Sequence, residues 1–269
     1  MKANFTVNGS INYTIFKFQS GELKIKVEDS PLTASTHIRG SILSSDNLVE
    51  LLLLVDILKT KGFTGLKLTL PYVPYSRDDR VMSEEEGLSI KVIANILNSL
   101  KLDKVYTIAN HSDVTTALID NCVNVPLSEV FCFNSKNYDC VLSPDAGANK
   151  ESFKIAQNLN LPLIRADKIR DVRTGDIVET KIFTDLDLTN KRILIVDDIC
   201  QGGMTFIKIA EQLKLQGVKS ITLAVAHGFF SNGLDKLKES GITNFMTTNS
   251  LYNVEDHNLK ICQWFQTLT

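Results

Sequence analysis

The chain has few of the features that mark secreted, zinc-binding or nucleic-acid-binding proteins. Its five cysteines form no C-x-x-C pair, so the sequence suggests neither a zinc site nor a disulfide framework. Unpaired thiols in odd number are typical of proteins in the reducing cytosol. The formal net charge of the 269 residues is −2, which gives no electrostatic reason to expect nucleic acid or an anionic membrane as a partner.

Long apolar runs are also missing. The first five residues lack the apolar core of a signal peptide, and the apolar run at 51–55 is far too short to span a bilayer. Hydrophobic residues make up 43% and charged residues 22% of the chain, an ordinary composition for a soluble protein with a sizeable core. We therefore expect a cytoplasmic protein with two domains and with neither a membrane nor a nucleic acid as partner.

The most informative stretch is 192–205. A predicted buried strand at 193–196 is followed by Asp197 and Asp198, a Gly-Gly turn, and a helix with apolar residues at helical spacing. Ligands of α/β sheets bind beyond the carboxyl ends of strands, and a glycine turn at a helix start offers N–H groups to a phosphate. The aspartates can accept sugar hydroxyls or hold a cation. The stretch indicates a site for a phosphorylated sugar, with an ordinary strand–turn–helix as the alternative.

Strands and helices alternate in both halves of the chain, which predicts an α/β fold with two units. Residues 5–27 alternate in polarity and predict a small antiparallel hairpin region. The first half continues with strands at 37–41, 66–70 and 105–109 and helices at 48–61 and 88–100. The second half has strands at 140–143, 163–166, 193–196, 221–226 and 244–247 and helices at 152–159 and 206–216. Residues 167–190 are polar and predict a long mobile loop containing a short strand or hairpin. We place the domains at 1–134 and 135–269, each a mostly parallel sheet flanked by helices.

Charged and aromatic residues follow several of the predicted strands. Residues 71–80 contain arginines, which can grip phosphates, and tyrosines, which can stack on a base. His111 could ligate a metal or contact a phosphate, and Asp145 could hold Mg²⁺. Lys168 and Arg170 open the polar loop, where cations can neutralise a transferring phosphoryl group. Each feature has a plain structural alternative, but their shared position indicates phosphoryl chemistry.

In this order, the stretches resemble those of the ribose-phosphate diphosphokinases (phosphoribosyl diphosphate synthetases), which have the type I phosphoribosyltransferase fold. The resemblance covers nearly the full length and rests on eight segments: 18–22, 46–56, 71–80, 111–112, 143–147, 167–170, 196–205 and 227–228. It implies transfer of the β,γ-diphosphoryl group of ATP to the anomeric hydroxyl of a ribose 5-phosphate unit, with Mg²⁺ as cofactor and release of AMP. Such chemistry depends mainly on positioning and charge neutralisation.

The resemblance also implies roles for individual residues. The catalytic residues would be Lys168, Arg170 and His111. ATP would be bound by Phe18, Glu22, Arg77, Asp78, Arg80 and His111. The pentose phosphate would be bound by Asp197, Asp198, Cys200, Gln201, Gly202, Gly203, Met204 and Thr205. The metal would be held by His111 and Asp145. Because the family's hairpin with Phe18 and Glu22 reaches into a neighbouring subunit, the resemblance implies a homo-oligomer, either a dimer or a hexamer.

The chain departs from the family pattern mainly at the 5-phosphate end and at the nucleotide site. Residues 201–205 lack the family's aspartate and one threonine, and Met204 stands where glycine is usual. Asp78, Ser20 and Val114 replace the residues usual at their positions. The catalytic cations and the hydroxyl-binding aspartates remain. We therefore expect a divergent member of the family that still makes phosphoribosyl diphosphate.

Three alternatives stay open. The acceptor could be ADP-ribose, giving ADP-ribose 1-diphosphate in NAD-related metabolism, because its larger 5-phosphate group would need a roomier loop, which a Gly-Gly-Met turn could provide. The chain could be a non-catalytic regulatory subunit of a synthetase complex, although the retained cations argue against this. A phosphoribosyltransferase would share the two aspartates, but the two-unit chain and the motif at 71–80 argue against it.

Overall fold

The structure is a computed structural model of the chain, and it describes residues 3–170, 177–251 and 259–262. The side chains of 168–170 and 177–179 lie outside this description. The chain divides into two compact units, Met1–Val125 and Pro126–Thr269. The boundary predicted from the sequence lies later, between residues 134 and 135.

The first unit is built on a five-stranded sheet with the strand order β1-β4-β5-β6-β7. The pairs β4–β5, β5–β6 and β6–β7 are parallel, and β1 pairs antiparallel with β4 at the edge. Its elements are β1 (Phe5–Val7), β2 (Tyr13–Lys17), β3 (Leu23–Val27), β4 (Thr36–Gly40), α1 (Ser45–Thr60), β5 (Leu66–Thr69), α2 (Ser89–Ser99), β6 (Lys104–Ile108), α3 (Asp113–Leu118) and β7 (Cys122–Val125).

Helix α1 begins where the sequence supplies a cap. The Oγ of Ser44 accepts a hydrogen bond from the backbone N–H of Asn47 at 3.3 Å, and this satisfies one of the free amides of the first turn. Leu51, Leu54 and Leu58 of the same helix are fully buried in the core of the unit. The helix is therefore held by its packing against the sheet as well as by its cap.

Strand β1 corrects the predicted hairpin region at 5–27. Only β2 and β3 form the separate antiparallel hairpin, whereas β1 joins the main sheet opposite β4. Phe5 pairs with Gly40, and a Cβ on that glycine would lie 2.3 Å from the Phe5 ring. The missing side chain at Gly40 thus makes room for Phe5, which local alternation alone does not reveal.

The second unit is built on a seven-stranded sheet with the order β10-β9-β8-β11-β12-β13-β14. Only β10 pairs antiparallel with its neighbour β9 among these described strands. Its elements are α4 (Leu127–Val130), a 3₁₀ turn (Ser135–Asn137), β8 (Cys140–Ser143), α5 (Asn149–Leu159), β9 (Leu163–Arg170), β10 (Ile177–Phe183), β11 (Arg192–Cys200), α6 (Met204–Leu215), β12 (Ser220–Gly228), α7 (Asp235–Glu239), β13 (Asn244–Thr248) and β14 (Leu259–Cys262).

The structure refines two predictions for the second unit. Strands β9 and β10 pair antiparallel and form the hairpin expected within residues 167–190. Lys168 and Arg170 lie on its first strand and not in a loop, because ladder pairing outweighs their polar composition. Residues 171–176 lie outside the described part. Strand β11 continues to Cys200 because its parallel pairing with β12 extends that far. Asp197 and Asp198 therefore lie inside the strand and not beyond its end.

The predicted fold class is confirmed. Each unit is a mostly parallel sheet with helices packed on it, and the first unit carries a small antiparallel hairpin. The short helices and strands β7 and β14 were not predicted from the sequence. In the described parts of the chain, no helix combines the length and the apolar character needed to cross a bilayer.

Candidate active site

Three neighbouring strands of the second unit bring the candidate residues to one edge. Strands β8, β11 and β12 run parallel, so their carboxyl ends share that edge. Asp145 lies just beyond β8, and Asp197 and Asp198 lie near the end of β11. The Asp145 side chain also accepts the backbone N–H of Ala148 at 3.2 Å, which holds it at the start of helix α5.

The three carboxylates interact electrostatically. Burial, the adjacent charge of Asp198 and the charge of Asp145 together raise the pKa of Asp197 well above its ordinary value. A side-chain oxygen of Asp197 also accepts the backbone N–H of Asp198 at 2.9 Å. Carboxylates that repel one another in this way favour a bound proton, a cation or hydroxyl donors between them. The edge can therefore receive sugar hydroxyls or a divalent cation.

A glycine turn joins β11 to α6. Gly203 has a φ of +83°, a left-handed conformation that glycine adopts without steric cost. Helix α6 has no side-chain cap, so its first-turn amides are not covered by a capping side chain. Met204 is 57% exposed and Thr205 is partly buried. The turn therefore presents backbone amides at the positive end of the helix dipole, as anion binding requires.

One predicted pentose-phosphate residue faces inward. The Cys200 side chain is fully buried in the core of the unit. Burial and the charge of Asp197 raise the pKa of its thiol to about 12, so the thiol stays neutral at physiological pH. Only the backbone of Cys200 lies at the turn, where its carbonyl accepts hydrogen bonds from the N–H groups of Phe229 and Phe230 at 2.8 and 3.2 Å.

The carbonyls of the turn are held by residues 229–232, a segment that carries no motif of the predicted site. The carbonyl of Gln201 accepts the N–H of Ser231 at 2.9 Å. The carbonyl of Gly202 accepts a side-chain N–H of Asn232 at 3.1 Å. The cluster Ser231-Asn232-Gly233 is an ordinary loop signal, so the sequence could indicate a turn here but not its contacts.

His227 lies at the end of β12 but is buried. Its Nδ1 is 2.8 Å from the Oγ of Ser250, and Ser250 also accepts a hydrogen bond from the hydroxyl of Thr248 at 2.8 Å. The Thr248 hydroxyl is in turn 2.7 Å from the carbonyl of Ala226. This histidine therefore belongs to a buried polar network that ties β12 to the chain after β13.

Lys168 and Arg170 are placed by their backbone. They lie at the carboxyl end of β9 and pair with Thr180 and Ile177 of β10. Strand β9 is the parallel neighbour of β8, so its carboxyl end, where both residues lie, is at the edge described above. Their roles as catalytic cations stay predictions.

In the first unit, the candidate ATP residues also follow neighbouring strands. The loop 71–80 follows β5 and His111 follows β6, and the N–H of Ile108 donates to the carbonyl of Pro71 at 3.0 Å. Arg77, Asp78 and Arg80 lie on this loop, where the arginines are exposed and Asp78 is partly buried. His111 is exposed. The structure thus brings the loop and His111 to one sheet edge.

Phe18 and Glu22 lie at the turn of the β2–β3 hairpin. Phe18 is 44% exposed, and its ring packs edge-on against Phe16 with ring centroids 4.9 Å apart. The Glu22 carboxylate accepts the hydroxyl of Ser20 at 2.8 Å. An exposed aromatic pair on a hairpin is suited to a contact with another molecule.

The predicted metal residues His111 and Asp145 belong to different units. Within residues 3–170, 177–251 and 259–262, no group of three or more His, Cys, Asp or Glu side chains could hold a metal ion. The carboxylate oxygens of Asp145, Asp197 and Asp198 are of the type that Mg²⁺ prefers.

A separate groove lies at the opposite, amino-terminal edge of the second sheet. Its volume is about 630 Å³, and Tyr138, Arg192, Thr222 and Lys260 are among the residues that line it. Arg192 is paired there with Asp139 at 2.9 Å. The groove contains none of the candidate site residues and is not part of the site described above.

Comparison with known proteins identifies the family. The model of the N-terminal domain of ribose phosphate pyrophosphokinase matches residues 6–100, and that of the phosphoribosyl transferase domain matches residues 130–255. The ribose-phosphate pyrophosphokinase of Pyrococcus abyssi is 32% identical over 249 residues, which cover 90% of this chain and 85% of that protein. The enzyme of the same name from Thermococcus kodakarensis is 32% identical over 241 residues, which cover 88% and 85%.

A solved structure shows the same fold. The crystal structure of phosphoribosylpyrophosphate synthetase from Mycobacterium smegmatis aligns with a TM-score of 0.80 and 22% identity, covering 93% of this chain and 85% of that chain. Fold and site thus define an α/β enzyme with phosphoribosyltransferase-like domains. More narrowly, the chain belongs to the ribose-phosphate pyrophosphokinase family, whose members are diphosphotransferases.

Proposed function

We propose that this chain transfers the β,γ-diphosphoryl group of ATP to the anomeric hydroxyl of ribose 5-phosphate. The observation that carries the proposal is the shared edge of β8, β11 and β12, where three carboxylates lie beside a glycine turn and an uncapped helix start. An acidic site beside an anion site matches a sugar phosphate, whose hydroxyls are donors and whose phosphate is an anion. Family membership supports the same substrate.

The acceptor would bind with its hydroxyls toward Asp197 and Asp198. Its 5-phosphate would lie on the backbone amides of residues 202–205. In the reaction the anomeric oxygen attacks the β-phosphorus of ATP, the bond from that phosphorus to the α,β-bridging oxygen breaks, and AMP leaves with this oxygen. The anomeric proton passes to solvent. The products are phosphoribosyl diphosphate and AMP.

The protein groups expected to act on the transferring group are Lys168 and Arg170. Positive side chains beside a diphosphoryl group stabilise the charge that spreads over its oxygens in the transition state. Support for this assignment comes from the position of both residues at the end of β9, whose parallel neighbour β8 leads to Asp145. The chemistry then needs no covalent intermediate on the protein.

Mg²⁺ is proposed to bind Asp145 together with phosphate oxygens of the substrates, since Mg²⁺ is usually held by one or two carboxylates and substrate phosphates. The charge of Asp145 acts on Asp197, so a cation at this edge would be favourable. His111, in the first unit, is proposed to contribute to Mg²⁺ and ATP binding, as the resemblance implies. When bound, the cation neutralises phosphate charge and orients the diphosphoryl group. The residues of the second unit would then bind the sugar hydroxyls and the 5-phosphate beside it.

ATP is proposed to bind through Arg77, Asp78, Arg80 and His111. Phe18 and Glu22 would contact the adenine of a neighbouring copy, which makes the active form a homo-oligomer. The exposure of the Phe16–Phe18 pair supports such a contact. A monomer would then lack part of each ATP site and would be inactive.

ADP-ribose is a second candidate acceptor because Met204 is 57% exposed at the start of α6. A side chain that leaves the turn open would admit a 5-phosphate that is esterified to a second nucleotide. The reaction would then give ADP-ribose 1-diphosphate by the same transfer. Ribose 5-phosphate remains the proposed acceptor, since the curated relatives carry the ribose-phosphate name.

The test is AMP release from ATP and Mg²⁺ with ribose 5-phosphate or ADP-ribose as acceptor, with the products identified by mass spectrometry. We expect AMP and phosphoribosyl diphosphate in equal amounts, and strongly reduced turnover in Asp198→Asn. Turnover with ADP-ribose alone would establish the second candidate. No AMP with either acceptor would refute both and would favour a regulatory subunit.

A further inference from the structure

The orientation of one peptide in the glycine turn is controlled by a side chain outside the turn. We propose that Asn232 is a positioning residue, which fixes the Gly202–Gly203 peptide so that the N–H of Gly203 is presented to the 5-phosphate of the acceptor. This inference rests on the proposed function for the identity of the phosphate. The resemblance to the family implies no role for Asn232.

Three consecutive carbonyls of the turn point toward residues 229–232. Those of Cys200 and Gln201 are held by backbone N–H groups of that segment. The third carbonyl, that of Gly202, receives its hydrogen bond from the side chain of Asn232 at 3.1 Å. The first two contacts are independent of side-chain identity, whereas the last depends on Asn232.

The hydrogen bond to the Gly202 carbonyl also fixes the direction of the Gly203 N–H. No peptide bond of the described residues is cis, and in a trans peptide the carbonyl and the following N–H point in opposite directions. When the Gly202 carbonyl faces Asn232, the N–H of Gly203 faces away from it, next to the uncapped first turn of α6. Successive amides in this arrangement form a concave anion site.

The peptide needs such a restraint because glycine lies on both sides of it. Glycine reaches backbone conformations of either sign of φ at little cost, so a Gly-Gly peptide can rotate by about half a turn and present its carbonyl in place of its N–H. A carbonyl oxygen turned toward the phosphate would repel it. The hydrogen bond from Asn232 favours the productive orientation before the ligand arrives.

Asn232→Asp is the sharpest substitution, because it keeps the shape of the side chain and removes the N–H donors. Asn232→Ala removes the side chain and leaves the Gly202 carbonyl to water. Asn244→Asp is a matched control, since Asn244 is exposed in the same unit and its side chain donates to the Thr243 hydroxyl at 3.1 Å, at the amino-terminal end of β13.

The experiment titrates inorganic phosphate, then ribose 5-phosphate, into each protein and follows the backbone amide signals of ¹⁵N-labelled samples. We expect both Asn232 variants to bind phosphate about two- to tenfold more weakly, as for the loss of one hydrogen bond, with Asn244→Asp like the wild type. In the AMP assay, KM for ribose 5-phosphate should rise by the same factor, while kcat and KM for ATP stay unchanged. A merely structural role would not separate these constants.

The outcomes distinguish this inference from the proposed function. Equal phosphate affinity in wild type and Asn232→Asp overturns the positioning role, whatever the enzyme activity. Weaker phosphate binding in the variant, in a chain that releases no AMP, sustains the positioning role and refutes the proposed function. If the wild-type chain binds no phosphate, the positioning role is overturned as well.

Discussion

Replacement of Gly203 by alanine tests the conformation of the turn. Gly203 has a φ of +83°, and an alanine held there costs about 1–2 kcal/mol. Its Cβ would also lie 3.0 Å from a Leu237 methyl carbon. Leu237 is 1% exposed and cannot move into solvent, so relief of this contact adds about 1–3 kcal/mol. We expect Gly203→Ala to lower the free energy of unfolding of the second unit by about 2–5 kcal/mol.

Gly233 provides a matched control for this substitution. It lies in the same unit and has a φ of +72°, but a Cβ there meets nothing within 4 Å. Gly233→Ala should therefore show only the backbone cost of about 1–2 kcal/mol. The difference between the two variants measures the contact with Leu237.

Urea unfolding of both variants, followed by circular dichroism and by amide signals of the second unit, gives the two free energies. The double variant Gly203→Ala with Leu237→Ala should lose less stability than the sum of the single variants, because the clash is absent. Equal losses in Gly203→Ala and Gly233→Ala would show that Leu237 contributes nothing. No loss in either variant would refute the argument from positive φ.

Three further predictions concern pH and catalysis. Hydrogen bonds from Arg192 lower the pKa of Asp139 to about 2. The stability from this pair is therefore complete above the unfolded pKa of about 4 and is lost as pH falls to about 2. Asp139→Asn should remove this step from the pH dependence of urea unfolding. Burial lowers the pKa of His37 to about 4, so as pH falls the imidazole is protonated in the unfolded chain before it is protonated in the folded chain. Stability should therefore fall as pH decreases from about 6.5 to about 4. This fall should be less steep in His37→Phe. Lys168→Ala should reduce the rate of AMP release by about 10²–10³-fold, whereas Lys181→Ala on the adjacent strand β10 should not, and equal rates in both would refute the assigned role of Lys168.

Much of the fold follows from local patterns in the sequence. Strand and helix periodicity and the strand at 140–143 depend on neighbours within a few residues, and the structure agrees with them. The parallel arrangement follows because helices separate the strands. The placement of charged residues near strand ends then follows as well, since parallel strands end at a common edge.

Pairing between strands accounts for the differences. Strand β1 joins the main sheet because Gly40, far along the chain, makes room for Phe5. The polar residues 167–170 are strand because they pair with β10. Composition cannot show either result, because the energy of a ladder depends on the partner strand and not on the segment alone.

The candidate site divides in the same way. The sequence by itself determined which residue types lie at or near the carboxyl end of each strand, and so the carboxylates, the glycine turn and the helix start at the sheet edge. Only the tertiary structure decided that Cys200 faces the core and that Asn232 holds the carbonyl of Gly202. The physical reason is that the burial of Cys200 depends on how β11 pairs with β12, and the Asn232 contact depends on where the chain turns after β12. No local pattern in the sequence shows either one.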